Sequence, residues 1–503
     1  MRIPLDRESQ APLYRQITDF IRQQIHTGLL APGTRLPATR DLAAALGVNR
    51  ITVVTAYDEL VAQGLIHSHV GRGTFVAGPL APLPHRGRPP EAWPLWQQAG
   101  ARSPDARQLE LDRMAARASR PGTIALAGGT GDPTLFDADE FRRVLTDVLR
   151  TTGVEALEYG DRAGYRPLRT TIAEVLTSQG IAATPDEVLI TSGSQQAIDI
   201  VARVLLRPGD AVLVESPTYI GALDIFRLLG AQVVGIPTDE EGMRVDLVAE
   251  AVQCCRPKLV YTIPTFHNPT GVSLSDQRRR ELVALAHRHG VPILEDDFVG
   301  DLRYDGPSHP ALKALDGHGD VLYTSTFSKM LSPGLRVGFL VASGPIYERL
   351  LACKRTTDLA TSSLIQRALQ AYISVGRYQA HLHKVCRVYR QRRDAMVQAM
   401  QEHLPAGVRW SVPHGGLFVW ASLPGAMSTS ELYGVAVERG VTFLPGGFAY
   451  PELSERPTMR LNFAMQPPEA IDEGIARLGQ ACSSLMAGAG LPAAPAASAP
   501  VIV

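Results

Sequence analysis

The chain has 503 residues, 45% hydrophobic and 20% charged, with fifty Lys+Arg against fifty Asp+Glu. That length suits about two to four domains with a large buried core, and the balanced charge marks no whole-chain polyanion binder, so any such signal is local. No apolar run reaches the roughly 18 residues of a membrane helix, the start MRIPLDRESQ has no charged-then-apolar leader, and five cysteines, scattered apart from Cys254–Cys255, form no disulfide or zinc framework. Disordered, collagenous, membrane and small secreted classes are excluded, and a soluble cytoplasmic protein is expected.

Residues 1–76 read as a small separate unit. Leu13, Ile17, Phe20, Ile21 and Ile25 recur at helical spacing and Gly28 stops the helix. Thr39 to Leu46 is a second, short helix closed by Gly47. Asn49 suits the N-cap of a third, whose Val53, Tyr57, Leu60 and Val61 form a stripe ending at Gly64. Two strand-like pieces, Leu65–Val70 and Thr74–Val76, flank a Gly71-Arg72-Gly73 turn. Three helices and a hairpin are the winged helix-turn-helix order. Residues 77–119 are rich in Pro, Gly and Arg without a period, which suits a linker. Over 120–485, the runs EVLIT, DAVLVES, AQVVGIP, KLVYTIP, VPILEDD, DVLYTST and RVGFLVA alternate with helix-like segments, which predicts a mostly parallel sheet covered by helices. The tail, 486–503, is low-complexity and expected to be disordered.

In the first unit, the helix opening at Asn49 is the one placed to enter a major groove. Asn49, Arg50 and Thr52 stand at its start, and Arg40 opens the helix before it. Eight Arg face six acids in residues 1–76, a net of about +2 and a mild electrostatic signal. A protein-interaction domain with solvated arginines is the plain alternative. The stretch from PLYRQITDF through LAPGTRLPATRDLA to GRGTFVA resembles the winged-helix domain of GntR-family bacterial repressors across its whole length. The resemblance implies DNA contacts from Arg40, Asn49, Arg50 and Thr52, with Gly71 at the wing tip; Ala38 and Ile51 stand where many relatives are polar.

In the larger unit, motifs fall in order at loop–strand junctions. Gly193-Ser194-Gln195-Gln196-Ala197 follows VLIT and opens an apolar helix, whose first N–H groups and hydroxyl suit an anion; an ordinary turn is the plain reading. Tyr219 ends another strand, where an aromatic ring stacks on a planar ligand or packs in the core. Asn268 lies in HNPTG. Asp296 and Asp297 end VPILE, where ligands of α/β proteins bind and a carboxylate pairs with a protonated ring nitrogen. Lys329, in Thr326-Phe327-Ser328-Lys329, is one of only five lysines, with Arg336 seven residues on. A partly desolvated lysine beside cations has the lowered pKa that Schiff-base chemistry needs; Lys258, Lys313, Lys354 and Lys384 are less suitably placed. Cys254–Cys255 are read as buried or incidental, and His287 and His289 as surface residues.

In that joint order the region resembles fold-type I pyridoxal 5′-phosphate (PLP) enzymes of the class I aminotransferase family over about 365 residues. The resemblance implies that Lys329 forms the Schiff base with PLP, Asp296 holds the ring nitrogen, Asn268 the ring hydroxyl oxygen, and Tyr219 stacks on the ring. Ser194, Gln195, Thr326 and Arg336 would hold the phosphate, with Tyr159 reaching it from the other subunit. Arg460, in MRLNFA, matches the arginine that grips a substrate carboxylate. Phe298 stands where relatives commonly carry a tyrosine on the ring oxygen.

Together, winged helix, linker and aminotransferase-like domain resemble the MocR subfamily of transcriptional regulators. This implies a head-to-tail homodimer on double-stranded DNA with paired half-sites, sensing an amino acid, an amine or PLP itself, with at most weak transaminase activity. An aminotransferase with an accessory DNA-binding domain is the alternative, and a DNA-binding protein whose large domain only dimerises is a third.

Overall fold

The structure, a computed structural model, describes residues 1, 3–7, 9, 11–69, 73–77, 96–97, 106–118, 121–425, 427–452 and 456–488. Gly71 and Arg72 of the wing, most of the stretch expected to be linker and the tail beyond residue 488 lie outside the described residues. The chain divides into two compact units, Met1–Pro104 and Asp105–Val503.

The first unit contains α1 (Leu13–His26), α2 (Thr39–Leu46) and α3 (Arg50–Ala62), then strands β1 (Ile66–His69) and β2 (Gly73–Val76). Gly47 ends α2 at φ 64°, a left-handed cap that suits glycine and turns the chain into α3 within three residues. Ile17, Ile21, Leu42, Val53, Leu60, Ile66 and Val76 form one core beneath the helices and the antiparallel hairpin.

The second unit opens with α4 (Ala106–Ala118), inside the stretch expected to be linker. Leu111 and Met114, three apart, put a thin apolar edge on the main core, and Tyr433 donates to the Met114 carbonyl at 3.3 Å. With Leu109 exposed, the two core-facing positions Leu111 and Met114 are too few to read as a helical period.

The central sheet has β3 (Val188–Thr191), β4 (Ala211–Ser216), β5 (Gln232–Asp239), β6 (Gly242–Met243), β7 (Leu259–Thr262), β8 (Ile293–Asp296), β9 (Val321–Thr326) and β10 (Gly338–Val341). Their order is β3-β10-β9-β8-β7-β4-β5-β6. Strands β9, β8, β7, β4 and β5 run parallel, while β10 is antiparallel to both β9 and β3. Alternate residues feed two cores: Val212 and Val214 enter one and Leu213 the other. The carboxyl ends of β3, β4, β7, β8 and β9 therefore share one edge.

A smaller antiparallel sheet follows, of β11 (Arg409–Trp410), β12 (Phe418–Ser422), β13 (Leu444–Pro445) and β14 (Thr458–Asn462), in the order β11-β12-β14-β13. Ile124–Ala125 pairs parallel with Val441–Thr442, which ties the start of this unit to its end. Among the described residues no helix is long and apolar enough to cross a membrane. Cys254 is exposed and Cys255 half-buried, so the vicinal pair on the helix Val245–Cys255 is not in the core. His287 is exposed, bonded to Asp320 and stacked on His318 with ring centroids 3.6 Å apart, and His289 is exposed as well.

Candidate functional site

The shared strand edge opens on a cavity of about 230 Å³ lined by Ser194, Tyr219, Asn268, Asp296, Lys329 and Arg460, with Gly129, Ile220, Ile263, Phe298 and Leu444 as its remaining walls. Six of the residues singled out from the sequence thus meet in one place. Asp296 ends β8 and is buried. Its Oδ2 accepts from the Tyr261 hydroxyl at 2.9 Å, and its Oδ1 has no hydrogen-bond partner. Burial pushes this carboxyl up to about 7, assisted by Asp297 and opposed by the Tyr261 hydroxyl. Lys329 follows β9, and burial, with Arg460 and Arg336 adding their charge, brings its ammonium down to about 8. An amine so placed is still mostly protonated at neutral pH, but keeps a far larger neutral, nucleophilic fraction there than an ordinary lysine.

Arg460 sits on β14 beneath the cavity, its guanidinium carbon 4.1 Å from the Phe418 ring centroid. Burial lowers it to about 10. Nη1 donates to Asn268 Oδ1 at 2.8 Å; Nη2 donates to the carbonyls of Ala127 at 2.9 Å and Gly128 at 3.2 Å; Nε is buried without a partner. With its Oδ1 taken, Asn268 keeps its amide N–H₂ as the donor. Tyr219 precedes the helix Ile220–Leu228, its hydroxyl donates to Gln195 Oε1 at 2.8 Å, and burial pushes it up to about 12.

Beside the cavity the helix Ser194–Leu205 begins, with the Ser194 and Gln195 N–H groups standing ahead of its first bonds, which Gln196 and Ala197 make to the Gly193 carbonyl. Its N-cap, Gly193, has φ 99°, and a Cβ there would lie 2.9 Å from Arg336 Nη2. Gly338 on β10 is equally constrained, since its Cβ would fall 2.8 Å from the Gly193 backbone. The arginine and the helix start are thus packed round a residue without a side chain. Arg336 donates to the Ser192 carbonyl at 2.6 Å and to Ser328 Oγ at 3.3 Å.

The remaining sequence candidates have other surroundings. The Gln195 side chain bridges Tyr219 and the Gly221 carbonyl. Thr326 is buried, its hydroxyl donating to the Val337 carbonyl and accepting from the Ser328 N–H. Tyr159 is 86% exposed and lines a separate surface hollow with Thr361 and Ser363, so one chain does not bring it to the cavity. Sequence reasoning missed Tyr261, whose contact with Asp296 follows from the β7–β8 register, and Ser192, Gln196 and Asp358 behind the helix start.

On the first unit, Arg40 and Arg50 are exposed at the starts of α2 and α3, and Thr52 is half-buried. Asn49 Oδ1 accepts from the Ile51 N–H at 3.0 Å, which caps α3 as the sequence predicts. Ile51 beside it is 72% exposed. An open helix start with exposed arginines suits a phosphate backbone and base edges.

Comparison with known proteins agrees with both halves. Residues 129–478 match the family described as aminotransferase class I and II, and residues 13–76 match the bacterial regulatory proteins of the gntR family. The chain is 31% identical over 500 residues to the probable rhizopine catabolism regulatory protein MocR of Rhizobium meliloti, covering 99% of each. It is 40% identical over 363 residues to aromatic-amino-acid aminotransferase 1 of Thermococcus litoralis, covering 71% of this chain and 87% of that protein. The solved α-aminoadipate aminotransferase LysN of Thermus thermophilus, complexed with N-(5′-phosphopyridoxyl)-L-leucine, superposes with a TM-score of 0.70 at 37% identity, covering 75% of this chain and 97% of that one. A DNA-binding head on a PLP-dependent aminotransferase fold defines a cofactor-dependent regulator. The chain belongs to the MocR-type transcriptional regulators, which join a GntR winged helix to an aminotransferase class I and II domain.

Proposed function

We propose that the cavity binds PLP through Lys329, with Asp296 facing the ring nitrogen, Asn268 the ring hydroxyl oxygen and Tyr219 the ring face. The phosphate lies at the start of the helix Ser194–Leu205, among Ser194, the Gln195 backbone, Thr326 and Arg336. The observation that carries the reading is the unpartnered, buried Oδ1 of Asp296 in the cavity that also holds Lys329. A buried carboxylate oxygen without a donor is costly, and a cationic ring N–H supplies the missing partner. When bound, the cofactor supplies an electrophilic carbon that condenses with primary amines. Arg460 grips the carboxylate of an amino-acid effector, Lys329 is the base nearest its amine, and Phe298 leaves the ring oxygen to Asn268.

The working unit is a head-to-tail homodimer in the cytoplasm, with the partner subunit's Tyr159 completing each phosphate site. Residues 1–76 bind paired half-sites, and residues from about 120 sense the effector, an amino acid, an amine or PLP. An effector switches DNA binding only by binding two dimer states unequally. The test is a footprint of the purified protein on the DNA upstream of its own gene, with and without PLP, for wild type and Lys329→Ala. Paired half-sites whose occupancy depends on PLP in wild type alone are expected. A visibly PLP-bound protein that protects no DNA, yet turns over an amino acid with a keto acid, would overturn the regulator reading in favour of an aminotransferase.

A further inference from the structure

We propose that Asp358 and Gln196 are positioning residues for the cofactor's phosphate, acting through Ser192; the inference rests on the PLP reading above. Ser192 links β3 to Gly193, and each of its polar groups is held. Its N–H donates to Gln196 Oε1 at 2.7 Å. Its carbonyl accepts from Arg336 Nη2 at 2.6 Å. Its hydroxyl donates to Asp358 Oδ2 at 3.4 Å, and the same oxygen accepts from Gln196 Nε2 at 2.9 Å. Gln196 therefore grips the Ser192 peptide with one end of its amide and Asp358 with the other.

Asp358 is itself fixed. Its Oδ1 accepts from Lys354 Nζ at 2.9 Å, one turn back on the helix Ile346–Asp358, and Lys354 is fully buried. A buried ion pair is a poor source of stability, because desolvation offsets most of its attraction. What it provides here is a fixed carboxylate aimed at Ser192, the residue whose N–H Gln196 holds and whose carbonyl Arg336 holds. The Ser192–Gly193 peptide, whose carbonyl Arg336 holds through Nη2, sets the entry to Gly193 at φ 99°, and so the direction of the N–H groups of the helix Ser194–Leu205. Backbone N–H groups and a guanidinium bind a phosphate well only when already aimed at one point. The Asp358 and Gln196 side chains bond to Ser192, to each other and to Lys354, none of which lines the cavity.

A scaffold role would weaken every ligand of the cavity alike, whereas a positioning role weakens only those with a phosphate. The experiment titrates the full-length protein, freed of cofactor, with PLP and with pyridoxal, which lacks the phosphate. Wild type, Asp358→Asn and Gln196→Leu are compared by absorbance, with melting curves as the folding control. Each variant is expected to raise the Kd for PLP about tenfold, as loss of a charge-assisted hydrogen bond does, and to leave the Kd for pyridoxal within about twofold. Inorganic phosphate should compete with PLP on wild type and more weakly on the variants. If Asp358→Asn fails to fold because Lys354 loses its counter-ion, Gln196→Leu, which keeps that pair, carries the test. Equal losses for the two ligands, or an unchanged ratio, would overturn the inference. A wild type that binds PLP no more tightly than pyridoxal would instead overturn the phosphate site of the PLP reading.

Discussion

Lys329 carries a titration that kinetics can read directly. With its ammonium held down to about 8 by burial and by Arg460 and Arg336, the neutral, nucleophilic amine accumulates as pH rises through that value. Capture of PLP by the cofactor-free protein should therefore accelerate from pH 6 and reach half its maximum near pH 8, where an ordinary lysine would still be rising at about 10. Stopped-flow absorbance from pH 6 to 10 checks this, and a rate still climbing at pH 10 would contradict it. Asp296 gives a second prediction. Its carboxyl is raised from 3.8 to about 7 by burial. Between those values the folded, cofactor-free protein keeps a proton that the unfolded chain has lost, so this group's contribution to stability falls as pH rises. Asp296→Asn removes that dependence, and the variant's melting temperature relative to wild type should increase from pH 5 to pH 8. The same variant should bind PLP about 10- to 100-fold more weakly, having lost a charged acceptor.

Elements differ in how far their sequence dictates their role. The α3 helix is set by local chemistry, with Asn49 capping it and Val53, Ala56, Tyr57 and Leu60 buried on one side. Asn49→Ala should cost about 1 kcal/mol of cap energy and speed hydrogen exchange at the Ile51 and Thr52 amides about fivefold. Asn49→Ser should preserve that protection, so any DNA affinity lost in the Ser variant belongs to a base or phosphate contact and not to the cap. The strands of the central sheet were legible for the same reason: seven short apolar runs, each bounded by turn residues, are all strands. What was not legible depends on register and on residues far apart in the chain. Tyr261 meets Asp296 because Thr262 pairs with Glu295 across β7 and β8, a fact no run of residues states. Asp358 meets Ser192 across 166 positions. In α4, Leu109, Leu111 and Met114 among arginines and acids carried too little period to separate it from a linker.

At the scale of the whole molecule, the proposed head-to-tail dimer makes Tyr159 the residue that completes the partner's pocket. It is 86% exposed and away from the cavity, so in the dimer read here each site borrows it across the interface. Mixing Lys329→Ala chains with Tyr159→Ala chains should then restore tight PLP binding that neither parent shows, at about a quarter of all sites after random exchange, since a two-fold hybrid holds one pocket with both defects and one with neither. Binding equal to the average of the two parents would contradict the shared site. Arg460 has a consequence of another kind. A guanidinium takes a carboxylate at two points through either Nη1 with Nη2 or Nε with Nη2, and both routes use Nη2. In this structure Nη2 is committed to the carbonyls of Ala127 and Gly128, in the segment that runs on from α4 and begins the second unit's pairing with Val441–Thr442. A carboxylate arriving at Arg460 therefore competes with the main chain for one nitrogen, and the segment leaving the Ile124–Ala125 strand is the competitor it has to displace.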